Sequence, residues 1–378
     1  MIPSAVFESV LRSALQPVAM FLDDESVTEV AINGPSEIFV ERKGQLSRTE
    51  ARFNSADSLL SALRVVAQYM GRPLDELHPI LEARIPDGSR LEAVLAPIAP
   101  DGPAVSIRRF SKERLTLAKL LSFGALTQDA ADLLKSLIEC KQNIVIAGGT
   151  GSGKTSMLNA LSSLIPEGER VLVIEDAREL QLQREHVVQL EARPPDAKGK
   201  GAVTIRDIFK ASLRMRPDRI VLGEIRGGEA LDLVQAMTSG HGGCLTTVHA
   251  TYPIDTLNRL ETLALMGGVE LPLHALRTQL ASAVDIIVQT ARMRDGRRRV
   301  THISEVLGTD TNHGYRINDL FASRPRRPNP DGSVPMELLP TGSLPACVDI
   351  FRAHGLALPP SMLRAASHAN SESNRSSQ

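Results

Sequence analysis

The sequence predicts an α/β protein in which a mostly parallel sheet carries helices on both faces and a smaller α+β domain precedes it. Three observations carry this expectation. From about residue 143 to residue 289, short apolar β-branched runs alternate with helical patterns, as in parallel sheets whose crossovers are helices. The first of these runs, Asn143-Ile144-Val145-Ile146-Ala147, stops at a glycine-rich turn and a helical pattern follows it. Before residue 110, helical and strand-like stretches are mixed without regular alternation.

Taken in order, residues 1–22 predict an amphipathic helix through Val6, Val10, Leu11 and Leu15. The period then changes. Val27, Glu29 to Ile32 and Ile38 to Val40 are β-prone runs separated by Asn33-Gly34-Pro35. Ser55 to Tyr69 returns to helical spacing, and short strands follow at Leu81–Ile85, Leu91–Leu95 and Ala104–Ile107. The polar stretch Ser111 to Thr116 predicts a hinge. Helices are expected near 117–123 and 127–139, the latter opened by Thr127 and Asp129. Strands are then expected at Val171–Ile174, Val187–Leu190, Ile220–Leu222, Gly243–Val248 and Ile286–Gln289. Helices fill the gaps near 205–215, 229–238, 255–264 and 273–283. Arg292 to Val300 reads as a hairpin with a basic turn, and the Pro/Arg-rich Ser323 to Gly332 as a linker. The domain limits expected are 1–110, a hinge at 111–118, a main domain at 119–308, a weakly helical C-terminal extension at 309–366 and a disordered tail at 367–378.

Composition narrows the function classes. The 378 residues suffice for two cores. With Lys+Arg 43 against Asp+Glu 44, the net charge is −1, so no global field attracts nucleic acid or an anionic membrane. Trp is absent and aromatics are 3%, which leaves no stacking platform for single strands. Cys140, Cys244 and Cys347 are scattered, a pattern that suits a reducing cytosol rather than a disulfide framework or a zinc ribbon. No apolar run approaches the ~20 residues of a membrane span, so a cytosolic chain is expected, held at a membrane only through partners.

Gly148-Gly149-Thr150-Gly151-Ser152-Gly153-Lys154-Thr155 fits G-x-x-x-x-G-K-[ST] in its strand–loop–helix context. Glycines let successive backbone N–H groups converge on phosphate oxygens, and the following helix N-terminus adds unpaired donors. Lys154 is placed for the β- and γ-phosphates and the Thr155 hydroxyl for Mg²⁺. Phosphoryl transfer to water also requires a metal clamp, a water-orienting base and a cation. Val171 to Ile174 ends in Glu175-Asp176, and Arg219 to Gly223 ends in Glu224. In a parallel sheet such strand ends face the phosphate site. Glu224 stands where an Asp is usual, so its contact with Mg²⁺ is expected to run through water. His241 in a glycine-rich turn and His249 at a strand end are candidates for the same site. Arg90, Arg108 and Arg109, with Arg214, Arg216 and Arg226, are candidate transition-state cations.

The order of these motifs resembles the type II/type IV secretion ATPase superfamily. It comprises the phosphate loop, Ile174-Glu175-Asp176, Arg216-Pro217-Asp218-Arg219 through Gly223-Glu224-Ile225-Arg226-Gly227-Gly228-Glu229-Ala230, and Gly240-His241 through Thr247-Val248-His249-Ala250. Within that superfamily the chain most resembles the Tad (Cpa) pilus assembly ATPases. Asp87-Gly88-Ser89-Arg90, Ser106 to Phe110, Glu191-Ala192-Arg193-Pro194-Pro195 and Arg294 to Val306 carry that likeness. The resemblance covers about residues 20–308.

The resemblance implies a RecA-like motor domain behind the N-terminal α+β domain, assembled as a homohexamer that binds ATP with Mg²⁺. It makes Gly148 to Thr155 the Walker A loop, Glu175 and Asp176 the Asp box, Glu224 the Walker B acid, and His241 and His249 the His box. It places Arg90, Arg108 and Arg109 near the nucleotide, and Thr155, Glu224 and Asp176 around the metal. Glu175 is the expected water-orienting base, with the roles of Glu175 and Glu224 exchanged as the alternative. The expected partners are inner-membrane pilus platform proteins, with the chain at the cytoplasmic face of the inner membrane and no nucleic acid bound. A conjugation or type IV secretion ATPase of the same superfamily is the alternative, and a RecA-like nucleic-acid motor fits the neutral charge less well. The four-cysteine zinc module of other branches is absent from the sequence.

Overall fold

The computed structural model describes residues 4–42, 44–110, 115–196, 199–293, 295–325 and 336–376. The chain divides into two compact units, residues 1–114 with 194–202, and residues 115–193 with 203–378.

In the first unit, the expected N-terminal helix is two helices, α1 (Ser4–Ala14) and α2 (Gln16–Asp23), with Pro17 in the first turn of the second. Proline is favoured there because the first helical N–H groups have no partner to lose. Strands β1 (Val27–Asn33), β2 (Glu37–Arg42) and β3 (Gln45–Arg48) form a meander. After α3 (Ala56–Tyr69) come β4 (Ile80–Arg84), β5 (Arg90–Val94) and β6 (Ala104–Arg108). Ser55 caps α3 by accepting the Ser58 N–H at 3.1 Å. The antiparallel sheet runs β3-β2-β1-β6-β5-β4. Its strands alternate buried and open positions, as Leu91 and Ala93 do on β5. One face packs on α3 through Leu59, Leu63 and Val66, while the other face stays polar.

The second unit is the α/β body. Its first helices are α4 (Leu117–Ser122), capped by Thr116, and α5 (Gln128–Glu139). Leu117 and Ala118 are therefore helical where a hinge was expected, and residues 111–114 of that hinge lie outside the described residues. Strand β7 (Ile144–Gly148) leads to α6 (Lys154–Ser162). Then come β8 (Val171–Glu175), β9 (Val187–Glu191), α7 (Ile205–Ser212), β10 (Arg219–Leu222), α8 (Glu229–Thr238) and β11 (Leu245–His249). Helices α9 (Pro253–Leu265) and α10 (Leu273–Ala283) precede β12 (Ile286–Arg292) and β13 (Arg298–Thr309).

Among the described residues the sheet order is β15-β14-β13-β12-β7-β11-β10-β8-β9. All pairings from β12 to β9 are parallel. Strands β7, β8 and β10 are buried along their whole length. Ile144 and Ile146 pack into a core with α5 and α6, while Val145 and Ala147 pack into a second core with α8, α9 and α10. Covering both faces is what turns these strands into unbroken apolar runs. The fold is thus a RecA-like α/β unit with a smaller α+β unit before it in the chain.

The C-terminal region departs from expectation. Strand β14 (Tyr315–Pro325) pairs antiparallel with β13, and β15 (Met336–Pro340) with β14, so this region extends the main sheet. Helices α11 (Val348–Ala353) and α12 (Pro360–Ser376) follow. Buried Phe351 and Met362 join the first of the two cores of this unit. Residues 367–376, expected to be disordered, continue α12. A helix begun by packing at Met362 propagates through polar sequence at little further cost. Ser323 to Pro325 of the expected linker finish β14, and residues 326–332 lie outside the described residues.

At the amino ends of the central strands, Asn143 acts as a junction. Its Nδ2 donates to Ala283 O at 2.8 Å, and its Oδ1 accepts from Cys244 N at 3.0 Å. Its own N–H donates to Asp285 Oδ2 at 2.7 Å. Burial pushes the Asp285 carboxyl up to about 6. Below about pH 4 aspartate is protonated in folded and unfolded chains alike, so it affects stability only above that. As pH rises toward 6, the native state is penalised for holding the proton. Stability therefore falls over that window. Relative to Asp285→Asn, whose amide oxygen still accepts the Asn143 N–H, the parent protein should lose about 1 kcal/mol between about pH 5 and pH 7.5. Denaturant unfolding at both pH values measures this, and parallel profiles would contradict it.

Candidate active site

Parallel strands that share a register end at one edge, and that edge gathers the candidate residues. Gly148 closes β7 opposite His249 of β11 and Thr290 of β12. Leu222 of β10 pairs with Ile174 of β8, so Glu224 and Glu175-Asp176 emerge side by side.

The loop after β7 is shaped by close approach. A Cβ on Gly148 would overlap the hydroxyls of Ser152 and Thr290 and stand 2.6 Å from Thr290 O. Ser152 Oγ and Thr290 Oγ1 are 2.9 Å apart, and Thr290 Oγ1 also donates to Ala147 O at 3.0 Å. Gly153 has φ +95°, the left-handed region, just before α6 begins at Lys154. Outside the loop, Arg298 of β13 donates from Nε to Gly151 O at 2.9 Å. Thr290 and Arg298 were not singled out in the sequence. Its one signal was the basic hairpin spanning Arg292 to Val300, which the structure forms from β12 and β13.

Lys154 is 8% exposed. Its Nζ donates to Gly148 O and Gly149 O at 3.1 Å each and lies 3.2 Å from His249 Nδ1. The same Nζ lies 3.4 Å from His249 Nε2, and that nitrogen lies 3.0 Å from Glu224 Oε1. Burial first, and then the Lys154 charge, hold the His249 pKa below its ordinary value, while Glu224 opposes them. A neutral ring satisfies both neighbours when Nδ1 accepts from Lys154 and Nε2–H donates to Glu224.

The chain of contacts continues. Arg226 Nη2 and Nε donate to Glu224 Oε2 at 2.9 and 3.1 Å, and Arg226 Nη1 donates to Asp176 Oδ2 at 3.1 Å. The Arg226 side chain is 52% exposed, and ion pairs with that exposure are typically worth less than about 1 kcal/mol each. The turn beneath it is firmer: buried Glu229 accepts the N–H groups of Arg226 and Gly227 at 2.6 and 2.8 Å.

Glu175 is set apart from this chain. It is 4% exposed, and its Oε1 accepts the backbone N–H groups of Glu179 and Leu180 at 2.9 Å each. Burial pushes its carboxyl up to about 7, against the pull of those two hydrogen bonds.

Not every candidate within this unit arrives at this edge. His249 stands at the carboxyl end of β11, but His241 precedes that strand at its amino end, where Cys244 Sγ contacts His241 O. At ~3.3 Å per strand residue, β11 alone puts about 13 Å between its two ends. The structure does not bring His241 to the loop. Arg90, Arg108 and Arg109 lie in the first unit. There Arg90 pairs with Glu82 at 3.4 Å, and Arg109 Nη1 donates to Val27 O at 2.9 Å and to Asp24 O. Arg108 is exposed at the end of β6.

The donor set suits a nucleotide bound with a divalent cation. A buried ammonium, a left-handed glycine turn and a helix start fit phosphate oxygens. Among the described residues, no group of three or more His, Cys, Asp or Glu forms a metal cage. Mg²⁺ is generally held through one or two carboxylates plus substrate phosphates rather than by an all-protein cage.

The sequence profile of the type II/IV secretion system protein family matches residues 12–313. The chain belongs to that family. Among its relatives is the type IV secretion system protein VirB11 of Bartonella quintana, 31% identical over 331 residues that span 78% of this chain and 92% of that one. The conjugal transfer protein TrbB of Rhizobium radiobacter is 33% identical over 296 residues, 77% and 87% of the two chains. Two solved structures share the fold. The ATPase DotB of Legionella pneumophila has a TM-score of 0.53 at 20% identity over 77% of this chain and 79% of that one. The pilus retraction motor PilT, with bound ADP, has a TM-score of 0.53 at 18% identity over 92% and 87%. The VirB11 and TrbB relatives are named for type IV secretion and conjugation, and the finer Tad likeness is not among these findings.

For this member of the type II/IV secretion family, the separation of the two histidines has a measurable outcome. His249→Ala removes the link between Lys154 and Glu224 and should weaken binding of a fluorescent ATP analogue about tenfold, the scale of one charge-assisted hydrogen bond. His241→Ala, at the far end of β11, should leave the same affinity within about twofold. Equal losses in both would show that the two ends of the strand act on one site.

Proposed function

We propose that this chain is an Mg²⁺-dependent ATPase that, as a homohexamer, powers a type IV secretion machine of the conjugation class. It would act at the cytoplasmic face of the inner membrane, on that machine's membrane-embedded components. ATP hydrolysis comes with the family. The observation that carries the reading is the line Lys154–His249–Glu224, which joins the phosphate loop to the acid at the end of β10. A loop that only held a nucleotide would not require that coupling. No helix among the described residues is long and apolar enough to cross a membrane, so force would reach the membrane through partners. The names of the VirB11 and TrbB relatives support secretion or conjugation as the process served.

In this reading the backbone of Gly148 to Gly153 holds the phosphates, Lys154 leaves its loop carbonyls for the β- and γ-phosphates, and Thr155 supplies a hydroxyl to Mg²⁺. Glu224 and Asp176 would hold the metal through its water shell. When bound, Mg²⁺ neutralises charge on the phosphate oxygens. Glu175 orients the attacking water and takes its proton. Its buried carboxyl, with a pKa raised to about 7, accepts a proton near neutral pH more readily than an exposed glutamate does. By their likeness to the family's N-terminal arginines, Arg90, Arg108 and Arg109 would couple hydrolysis to domain motion.

Pilus assembly of the Tad type is the second reading. It is favoured by the likeness of Asp87 to Arg90, Glu191 to Pro195 and the hairpin from Arg294 to Val306 to that branch. The site is the same in both readings and only the membrane partner differs, so pull-down of membrane components by the Lys154→Ala protein separates them.

Steady-state ATPase activity on purified protein tests the main proposal. Activity should fall to background in Lys154→Ala and be indifferent to added DNA. Glu175→Gln should lower kcat by about a hundredfold or more while KM stays within a few-fold, the range for loss of a general base. Unimpaired turnover in Glu175→Gln would assign the base to Glu224. Strong stimulation by DNA would point instead to a nucleic-acid motor.

A further inference from the structure

We propose that Arg226 is a built-in counter-ion, which holds the two metal-binding acids together while the site lacks nucleotide and yields its place to the Mg²⁺ that arrives with ATP. The inference rests on the reading of the site given above.

The geometry is specific. Glu224 and Asp176 leave different strands and are separated by 48 positions in the sequence, yet one guanidinium contacts both. Its Nη1 reaches Asp176 Oδ2 at 3.1 Å, and its Nη2 and Nε reach Glu224 Oε2 at 2.9 and 3.1 Å. Two carboxylates held this close repel each other unless a cation stands between them. The planar fork of an arginine reaches both acceptors from fixed directions, whereas a lysine ammonium carries the same charge as a point.

The bridge is also built to open. Its guanidinium is 52% exposed, so water can replace each bond it breaks. The backbone N–H of Arg226 is fixed by buried Glu229 at 2.6 Å, so the side chain can swing while its root stays in place. Glu224 does not depend on Arg226 for its position, because its other oxygen is held by His249 at 3.0 Å. A divalent cation held through its waters at these carboxylates and a guanidinium on the same oxygens repel each other more strongly than an ordinary pair of unit charges. Arg226 therefore opposes metal entry until the charge of the nucleotide phosphates favours the metal. Binding of metal and of nucleotide are in this way made interdependent.

The test uses the full chain and fluorescent ADP. Its affinity is measured across a series of Mg²⁺ concentrations for the parent protein, Arg226→Gln and Arg226→Lys. Removing the competing charge should lower the half-saturating Mg²⁺ concentration about tenfold in Arg226→Gln, and Arg226→Lys should restore most of the parental value. A purely structural role predicts the opposite sign, with weaker binding at every Mg²⁺ concentration. An unchanged or raised midpoint in Arg226→Gln overturns the proposal. A second measurement needs no variant: modification of Arg226 by an arginine-selective reagent, read by peptide mass spectrometry, should be faster with Mg²⁺ and ADP than with ADP alone. Equal or slower modification also overturns it. Failure of the parent protein to bind the nucleotide at any Mg²⁺ concentration would overturn the reading of the site itself.

Discussion

A parallel sheet covered on both faces is the constraint on which the rest of this structure depends. Parallel pairing makes β7, β8, β10, β11 and β12 end at one edge. Polar side chains placed at strand ends far apart in sequence are thereby delivered to one place. The faces cannot accept them, because helices bury both. Chemistry at that edge is thus a product of topology first and of individual residues second.

The sequence made the parallel core legible for the same reason. Ile144 to Ala147 and Val171 to Ile174 are unbroken apolar runs because both their faces are buried, and no helix so short would read that way. The first unit was equally open to reading, since one-sided burial stamps a period of two on β1, β2 and β4 to β6. Strands β14 and β15 carry neither mark. They lie at the sheet margin, where Arg316, Asp319 and Arg324 interrupt the apolar positions, and their pairing is fixed by neighbours rather than by their own pattern. The part of helix α12 beyond residue 366 escaped notice because its polar end borrows order from a few packed residues at its start.

The site was legible as an inventory but less so as an arrangement. The loop from Gly148 to Thr155 and the acids Glu175, Asp176 and Glu224 follow from motif and strand end. His241 and His249 look equivalent in the sequence, each set beside glycine or a β-branched run. Only the direction of β11 shows that one faces the phosphate loop and the other faces away. The bridging of two acids by Arg226 had no local signal, since Asp176 comes from a strand that is adjacent only in the folded sheet.

The two ends of the central strands are fastened by different kinds of bond. At the amino end, Asn143 joins the segments entering β7, β11 and β12 through short hydrogen bonds from a 5% exposed side chain and its backbone. At the carboxyl end, Arg226, Glu224 and Asp176 are joined by ion pairs open to solvent. Mobile ions screen the second kind strongly and the first hardly at all. Ionic strength therefore acts on this sheet as a one-sided solvent, relaxing the edge that handles the nucleotide while the opposite edge keeps its register.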